Sequence, residues 1–347
     1  MISSMFPSDR FKLMLDSARR QDSAAVQSDE TVETKELAQH IRQTCRADAG
    51  ESMFFARQLE HIRAGVLDIV YPELKGMTLV PVDTSIDPGA TSLTVQFFDH
   101  VGTAKVVADM AGTEIPRADV SGGEGNQVIR SLAIAYGYTI QEARSAMFAR
   151  TPLLVKKAMA ARDAIERGLD NVLFVGDTVM GLKGLLNQTS SVTYTITNGA
   201  AADTNWETKT PDEIIFDMTS AVNKIVVDSK GAEEPDTMLL PLSSYTYIAS
   251  KRMGDGDSTT ILNHFKNCCP MIKTITSTYK LESNSGWTGK RMVIYKKDPS
   301  KLAFLLSQPF EQFAPQAEGF SLVTNCHART GGVALYYPGS LCYADDI

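Results

Sequence analysis

The fold is decided by residues 140–187, which read IQEARSAMFARTPLLVKKAMAARDAIERGLDNVLFVGDTVMGLKGLLN. A short helix is expected over 140–149 and a longer one over 152–168, because proline is favoured in the first turn of a helix and glycine commonly follows its end. Thr151 is the expected cap of the longer helix and Gly168 its stop. A strand and a glycine-pinned bend follow. The block describes a rigid spine joined to a bend and contains no recognisable reaction centre.

The longer helix combines one apolar stripe with a charged remainder. The stripe consists of Leu154, Ala158, Ala161 and Ile165. Interspersed charges of both signs on a helix are typical of a face that is exposed or that forms an interface. We predict that this face contacts a second copy of the chain; a solvated face and contact with DNA are the alternatives. The candidate interface residues are Lys156, Lys157, Arg162 and Glu166.

A long hairpin is predicted upstream of the short helix. Extended runs are expected over 77–82, 92–98, 101–107 and 127–135. Asp87-Pro88-Gly89 is a turn between the first two runs, because proline fixes φ and glycine permits the reversal. Residues 108–126 are rich in glycine and lack apolar periodicity, which predicts a broad tip. A long hairpin leaves its edges unpaired, so we expect it to dock on a partner.

Six residues in and after this tip are candidates for subunit contacts: Gly112, Pro116, Arg117, Gly122, Gly123 and Arg130. The segment 121–126, which reads SGGEGN, is interpreted as a flexible loop tip and not as a dinucleotide fingerprint, because no βαβ unit surrounds it. The segment 176–183 is not a phosphate loop either, since Leu182 separates the second glycine from the lysine. Its glycines instead indicate a bend that passes close to its neighbours.

The remaining segments predict an arm and an α+β domain. Residues 1–50 are polar and resemble an arm that becomes ordered against something else, with a floppy tail as the alternative for the first part. Apolar residues recur at helical spacing over 51–70. Within 190–300, helices are expected over 212–227, 244–253 (capped by Ser243) and 259–267, and strands over 237–242, 271–276 and 291–296. A strand is expected over 302–306 and an extended tail over 320–343. Gly331-Gly332 in that tail indicates a bulge or a tight turn between two strands.

The composition restricts the classes of function. A hydrophobic fraction of 43% is enough for a folded core in 347 residues. The net charge of −7 argues against a nucleic-acid binder that works by global positive charge. No apolar run is long enough for a membrane span, and no secretory signal pattern is present at the N-terminus. The expected compartment is therefore the cytoplasm in which the chain is made.

No catalytic, cofactor-binding or metal-binding residue is predicted. The cysteines are Cys45, Cys268, Cys269, Cys326 and Cys342, and their spacing suits neither a zinc site nor a disulfide framework. We expect all of them to be reduced thiols. The histidines form no HxxxH-like pair, and the chain has no GxSxG elbow.

The order of arm, helix, hairpin, spine helix, glycine-rich bend, α+β domain and terminal strands resembles the major capsid proteins of tailed phages, which have the Hong Kong 97-type fold. Residues 157–166 through 181–187 look like the spine-helix region of the encapsulin-like branch of that family. Residues 329–338, which read RTGGVALYYP, look like the C-terminal strands of that branch. The similarity covers roughly residues 50–347 in organisation.

This resemblance implies an α+β fold and a role for each segment. Residues 1–75 would form the N-terminal arm, 76–189 the peripheral domain with an extended loop at about 92–138 and a spine helix at about 152–168, 190–300 the axial domain, and 301–347 the strands that return to the peripheral domain. Copies would form pentamers and hexamers that close into an icosahedral shell around double-stranded DNA. The shell would bind that DNA without sequence specificity, and it would be assembled in the host cytoplasm as a virion capsid. Portal, scaffolding or decoration proteins are further partners that the resemblance allows.

Two other functions stay open at this level. An encapsulin-type nanocompartment has the same fold and encloses a cargo enzyme. A soluble α+β enzyme is the more distant alternative, and the long hairpin argues against it because a solitary enzyme gains little from such a loop. If the capsid interpretation is right, deletion of residues 108–126 leaves a folded subunit that forms no stable shells.

Overall fold

A computed structural model describes residues 71–106, 116–150, 152–254, 258–282 and 289–347, and Pro72–Ile347 form one structural unit. In this described part the α-helices are α1 (Gly76–Leu79), α2 (Ile140–Phe148), α3 (Leu153–Phe174), α4 (Pro211–Asp228), α5 (Leu242–Ser250) and α6 (Ile261–Cys268). The strands are β1 (Val82–Asp83), β2 (Ser92–Val101), β3 (Asp119–Val128), β4 (Arg130–Thr139), β5 (Gly176–Asp177), β6 (Leu182–Lys183), β7 (Val192–Thr195), β8 (Thr237–Pro241), β9 (Thr274–Thr278), β10 (Arg291–Tyr295), β11 (Leu302–Gln312), β12 (Gln316–Glu318), β13 (Ser321–Leu335) and β14 (Leu341–Asp345).

The described strands form two large sheets and a separate hairpin. The first sheet has the order β1-β11-β13-β6-β5, with β4 and β12 also paired to β13. The second has the order β7-β14-β10-β8-β9, and β2 and β3 pair only with each other. Helix α3 packs on the first sheet and α4 on the second, each with its own hydrophobic cluster. The predicted α+β class is confirmed.

The spine helix α3 is longer than the sequence suggests. It runs from Leu153 to Phe174 and therefore spans about 33 Å at 1.5 Å per residue. Gly168 lies inside the helix and does not end it, and the strand expected after Gly168 is wrong. The apolar stripe continues through Leu169 and Leu173, which are buried against the first sheet, so burial outweighs the weak helix preference of one glycine. Thr151 lies outside the described residues.

Gly168 serves close packing. A Cβ added there would lie 2.9 Å from Cδ2 of Leu132 on β4, so the missing side chain lets the helix approach the sheet. The bend after the helix agrees with the expectation. Gly176 and Gly181 have φ values of 72° and 75°, which other residues adopt only at a cost. Gly176 begins β5 and Gly181 directly precedes β6, and the two strands form a tight hairpin.

The hairpin of β2 and β3 differs from the predicted one in three respects. Residues 102–106 are not a strand, and β3 already begins at Asp119, so the segment interpreted as a flexible tip is paired β-structure. Pairing runs in register from Ser92–Val128 to Val101–Asp119. Strand β4 belongs to the first sheet because it pairs with β13 along its whole length. The separate hairpin therefore ends at Val128, and residues 130–139 belong to the first sheet.

The C-terminal strands divide between the two sheets. β11 and β13 form a long antiparallel pair whose register slips at Gly331. Of the two predicted alternatives the bulge is therefore correct, and the turn between two strands is not, because β13 continues through both glycines; Gly332 has a φ of 74°. β14 departs from the expectation that all of 301–347 returns to the sheet of the spine helix, since it pairs with β7 and β10. Arg291 contributes to that position of β14, because its Nη2 donates to Asp345 Oδ2 at 2.7 Å.

The second sheet and its helices follow the predicted order with shifted ends. α4 begins at Pro211, in agreement with the preference of proline for the first turn of a helix. A capping box between Thr210 and Glu213, which was not predicted, also stabilises this end. α5 begins at Leu242, so Ser243 is not its cap; the Ser243 hydroxyl donates instead to Glu282 at 2.8 Å. The extended run predicted over 77–82 is wrong for its first half, because helix α1 occupies the segment as far as Leu79; the chain is extended at Val80, and β1 begins at Val82. The helix predicted over 51–70 lies outside the described residues.

Candidate functional site

The β2–β3 hairpin is anchored to the first sheet at its base. The Nε2 atom of Gln127 donates to the backbone oxygens of Gly331 at 2.7 Å and Val333 at 3.1 Å. Ile129, directly after the hairpin, is buried with Leu305 in a small cluster of its own. These contacts hold the first half of the hairpin against the body of the subunit.

The other half of the hairpin, which we call the outer hairpin (residues 97–101 and 119–123), projects from the body. Burial alternates along β2 as far as Gln96 and then stops, so both faces are exposed beyond that point. Phe97 and Phe98 are 59% and 68% exposed. Exposed aromatic rings on a strand pair that bonds only to itself are a feature of an interaction surface.

Gly122 and Gly123 lie in the outer hairpin and shape that surface. Gly123 is paired with Phe97 and Gly122 with Phe98, so each ring has a glycine beside it on the same face. A Cβ at Gly123 would overlap the Phe97 ring, and one at Gly122 would lie 3.4 Å from the Phe98 ring. The two glycines therefore leave room for the rings to lie across the partner strand.

Sequence reasoning missed Phe97 and Phe98 themselves. The available signal was their adjacency, because neighbouring residues of a strand point to opposite faces and one phenylalanine must face away from any core. Of the other hairpin candidates, Pro116 and Arg117 are exposed and lie just before β3. Gly112 lies outside the described residues.

The charged candidates of the spine helix are in different environments. Lys157 Nζ donates to the Gly137 carbonyl at 2.8 Å and pairs with Glu142 at 3.3 Å, so it ties α3 to α2 and β4 within one chain. Hydrogen bonding from the Thr139 backbone N–H, followed by Lys157, holds the pKa of Glu142 below its usual value. Lys156 is exposed. Lys157 therefore has an intramolecular role, while Lys156 stays a predicted contact.

The remaining charged candidates are Arg162, Glu166 and Arg130. Arg162 Nε donates to Glu166 Oε1 at 2.8 Å, one helical turn away, and this pair lies at the rim of a cleft between α3, α1 and β11. Arg130 donates to the Met180 carbonyl at 3.4 Å, which links β4 to the glycine bend. Among the charged candidates, Arg162 and Glu166 are therefore bonded to each other, while Lys157 and Arg130 bond to other parts of the same chain.

The cleft beside α3 has a volume of about 430 Å³ and is mostly apolar. Its one buried carboxyl, Asp170, accepts the Gly76 N–H at 2.9 Å, and burial raises the pKa of Asp170. Arg162 and Glu166 are already paired with each other at its rim. A carboxyl that is committed to a backbone N–H is a structural group, so the cleft offers no poised acid–base pair.

The buried thiols of Cys342 and Cys326 are not poised to act as nucleophiles. Burial raises the pKa of the Cys342 thiol to about 12, and burial also raises that of Cys326, so neither is a ready thiolate. Within the described ranges, no group of three His, Cys, Asp or Glu side chains is placed to hold a metal ion. Over the same ranges, no helix is both long and apolar enough to cross a membrane.

In the described part of the chain, a second exposed apolar surface lies where helices α2 and α3 meet. Helix α2 buries none of its residues, and Phe148 at its end is 93% exposed. The start of α3 adds Leu154 and Val155, both exposed. We call residues 143–155, apart from the undescribed 151, the α2–α3 corner. Isolated helices as short as α2 are marginal in water, so its exposed face indicates a partner.

Comparisons with known proteins indicate that this chain is a subunit of a larger assembly. A family model described as major capsid protein matches residues 102–347. A search of curated protein sequences gave no match. The capsid of Myoviridae phage XM1 superimposes with a TM-score of 0.74 at 17% identity, over 86% of this chain and 100% of that chain.

Two further solved structures show the same fold. The chain of Mycobacterium phage Adephagia has a TM-score of 0.58 at 14% identity, over 84% of this chain and 95% of that one. The capsid of a native GTA particle has a TM-score of 0.60 at 11% identity, and the match covers 83% of this chain and 95% of that one. Because the family model spans well over half of its length, the chain belongs to the major capsid protein family and is a structural subunit of a capsid built from many copies.

Proposed function

We propose that copies of this chain form hexamers and pentamers that close into the icosahedral shell of a tailed phage around double-stranded DNA. The outer hairpin carries this proposal, since it exposes Phe97 and Phe98 on a strand pair that bonds only to itself. Such a surface is explained by a hairpin that lies over an adjacent subunit. The assembly site is the host cytoplasm, and portal, scaffolding and decoration proteins are further partners consistent with this role.

In this proposal the two sheets have different places in the shell. The first sheet with α3 forms the peripheral domain, and residues 190–300 together with β14 form the axial domain at the five-fold and six-fold positions. Residues 1–75 form the arm. The net charge of −7 supports a shell that encloses DNA without binding it tightly. Contacts between basic residues and phosphates dominate DNA affinity, and an acidic protein makes few of them.

Expression of the chain alone and with its neighbouring genes tests the proposal. Negative-stain microscopy and size-exclusion chromatography are expected to show closed particles or sheets of hexamers. A monomer or dimer under every condition overturns the shell assignment. Particles that contain enzyme cargo and no DNA after co-expression with the neighbouring genes would instead support a nanocompartment.

A hairpin deletion tests the surface that carries the proposal. Deleting 108–126 is unsuitable because it removes most of β3 and leaves β2 unpaired. Replacing residues 94–126 by Asn-Gly joins Leu93 to Gln127, which are already paired, through a favoured two-residue turn. Gln127 then keeps its bonds to β13. We expect a folded subunit that forms no stable shells, and normal particles from this variant would contradict the proposal.

A further inference from the structure

We infer that His264 and Cys268 of helix α6 form a surface site that chelates Zn²⁺ through the imidazole Nδ1 and the thiolate Sγ. The structure places these two atoms beside each other. Among the described residues, neither side chain has a hydrogen bond or ion pair with any third group. The site lies within one chain and does not depend on the proposed shell.

Helix α6 brings the two side chains to one face. Its apolar residues Ile261, Leu262 and Phe265 are buried, which fixes the orientation of the helix on the second sheet's domain. His264 and Cys268 are four residues apart and are therefore neighbours on successive turns. His264 is half-buried and Cys268 is exposed. A metal ion in solution can therefore reach the thiol without unfolding the helix.

The distance between the two ligand atoms fits a single tetrahedral metal ion. Sγ of Cys268 lies 3.5 Å from Nδ1 of His264. In a tetrahedral zinc site the Zn–S distance is about 2.3 Å and the Zn–N distance about 2.0–2.1 Å, which places the S and N atoms roughly 3.5 Å apart. The two side chains therefore already have the separation of a chelate, and binding needs little rearrangement.

The end of α6 favours a bound cation. Cys268 is the last residue of the helix, and a helix C-terminus carries a partial negative charge. The same field disfavours a free thiolate, so a metal ion that compensates the thiolate charge explains this position better than a nucleophilic role does. Lys266 is two residues from each ligand and therefore does not face the pair.

The chemistry of the two ligands selects the metal. Thiolate and imidazole suit Zn²⁺, whereas Mg²⁺ and Ca²⁺ prefer oxygen ligands. Within the described ranges, no third His, Cys, Asp or Glu side chain is placed to join the pair, so water occupies the other positions of the ion. Binding breaks the S–H bond of Cys268 and releases its proton to the solvent. We expect reversible binding that follows the zinc concentration.

Metal titration of the untagged full-length chain, kept reduced by a phosphine, tests the site. Calorimetry is expected to detect Zn²⁺ binding, and Co²⁺ is expected to give the absorption of a tetrahedral, thiolate-bound ion. His264→Ala and Cys268→Ser should each lower the zinc affinity at least about tenfold, because each removes one of two linked contacts. Zinc should also raise the thermal unfolding midpoint of the wild type more than that of either variant, since it binds the folded state.

The neighbouring thiol provides a matched control. Cys269 is buried, and its Sγ lies 3.7 Å from Oγ1 of Thr219, so Cys269→Ala is expected to keep the zinc affinity of the wild type. The cysteine and histidines of residues 1–70 are unchanged in every variant, so zinc bound there does not alter the comparison. Circular dichroism checks that each variant is folded, and Mg²⁺ is expected not to compete with zinc.

Three results would overturn the site: no thiolate–cobalt absorption, equal zinc affinity of the wild type and both ligand variants, or a loss of affinity in only one of the two. Each of them would show that His264 and Cys268 share a hydrogen bond and no metal ion. Assembly is measured separately. Failure of the wild-type chain to assemble overturns the shell proposal and leaves the zinc measurements unchanged.

Discussion

Gly123 is paired with Phe97 across the β2–β3 hairpin, and the Phe97 ring covers the position that a Cβ at Gly123 would occupy. This relationship explains why a glycine-rich segment forms a regular strand. Each glycine weakens the strand by itself, but the aromatic ring of the opposite residue covers the space that its missing side chain leaves. The same relationship decides where the ring points, which matters for any contact that the outer hairpin makes.

We expect Gly123→Val to reduce assembly severalfold without unfolding the subunit. Valine favours strands but would displace the Phe97 ring from its place over the partner strand. The free energy of unfolding of the unassembled subunit should change by about 0.5 kcal/mol or less, because the hairpin pairs only with itself. Gly125→Val is the matched control, since a Cβ at Gly125 meets nothing within 4 Å. Equal effects of the two substitutions would contradict this role of Gly123.

We expect Gly168→Val to destabilise the subunit by about 1–3 kcal/mol, the usual cost of overpacking a core. The new Cβ would lie 2.9 Å from Cδ2 of Leu132 on β4, so either the Leu132 side chain or the helix has to shift. Chemical denaturation of the unassembled subunit measures the effect. Adding Leu132→Ala should recover part of the loss, because it opens space for the new methyl groups. A double variant that is as unstable as the sum of its two single variants would show that the two positions are not in contact.

We expect the folded subunit to be strongly destabilised when the buried ion pair between Lys209 and Asp217 is broken. Lys209 Nζ lies 2.6 Å from Asp217 Oδ2, and both side chains are almost fully buried. Asp217→Ala leaves the ammonium buried without its counter-charge, so we expect a loss of about 3–5 kcal/mol in the free energy of unfolding. The exposed pair of Lys224 and Asp228 is the control, and Asp228→Ala should cost about 0.5 kcal/mol or less. Similar losses at both sites would refute the distinction.

The stability contributed by Asp170 should depend on pH in a defined direction. Burial raises the pKa of Asp170 above the usual 3.8, so the folded state holds the proton more tightly than the unfolded state. The resulting stabilisation is fully present below the unfolded pKa and is lost as the pH rises through the folded pKa. At pH 7 the buried carboxylate therefore weakens the fold.

Asp170→Asn removes this dependence and keeps an oxygen that accepts the Gly76 N–H. We expect the variant to be more stable than the wild type at pH 7, with an advantage that shrinks as the pH is lowered towards 4. Thermal unfolding of the unassembled subunit at several pH values measures the difference. An advantage that stays constant with pH would show that Asp170 does not titrate differently in the folded state.

The glycines show which structural features of this chain can be predicted from local sequence patterns and which cannot. Gly176 and Gly181 were predictable as a bend because their positive φ is a local property. Gly168 was interpreted as a helix stop because its actual reason, the approach of Leu132 from β4, involves a residue 36 positions away in the chain. Gly122 and Gly123 were interpreted as a loop tip for the same kind of reason, since their rings come from the opposite strand.

Local chemistry in the sequence determined the α+β class, the turn at Asp87-Pro88-Gly89, the α4 helix and the bulge at Gly331, because each depends on residues close in the chain. The sequence also showed the resemblance to the capsid family. Tertiary structure alone decided the length of the spine helix, the assignment of β14 to the second sheet, and the exposure of Phe97 at the end of an anchored hairpin. These features depend on long-range burial and strand pairing, whose free energies exceed the local preferences of single residues.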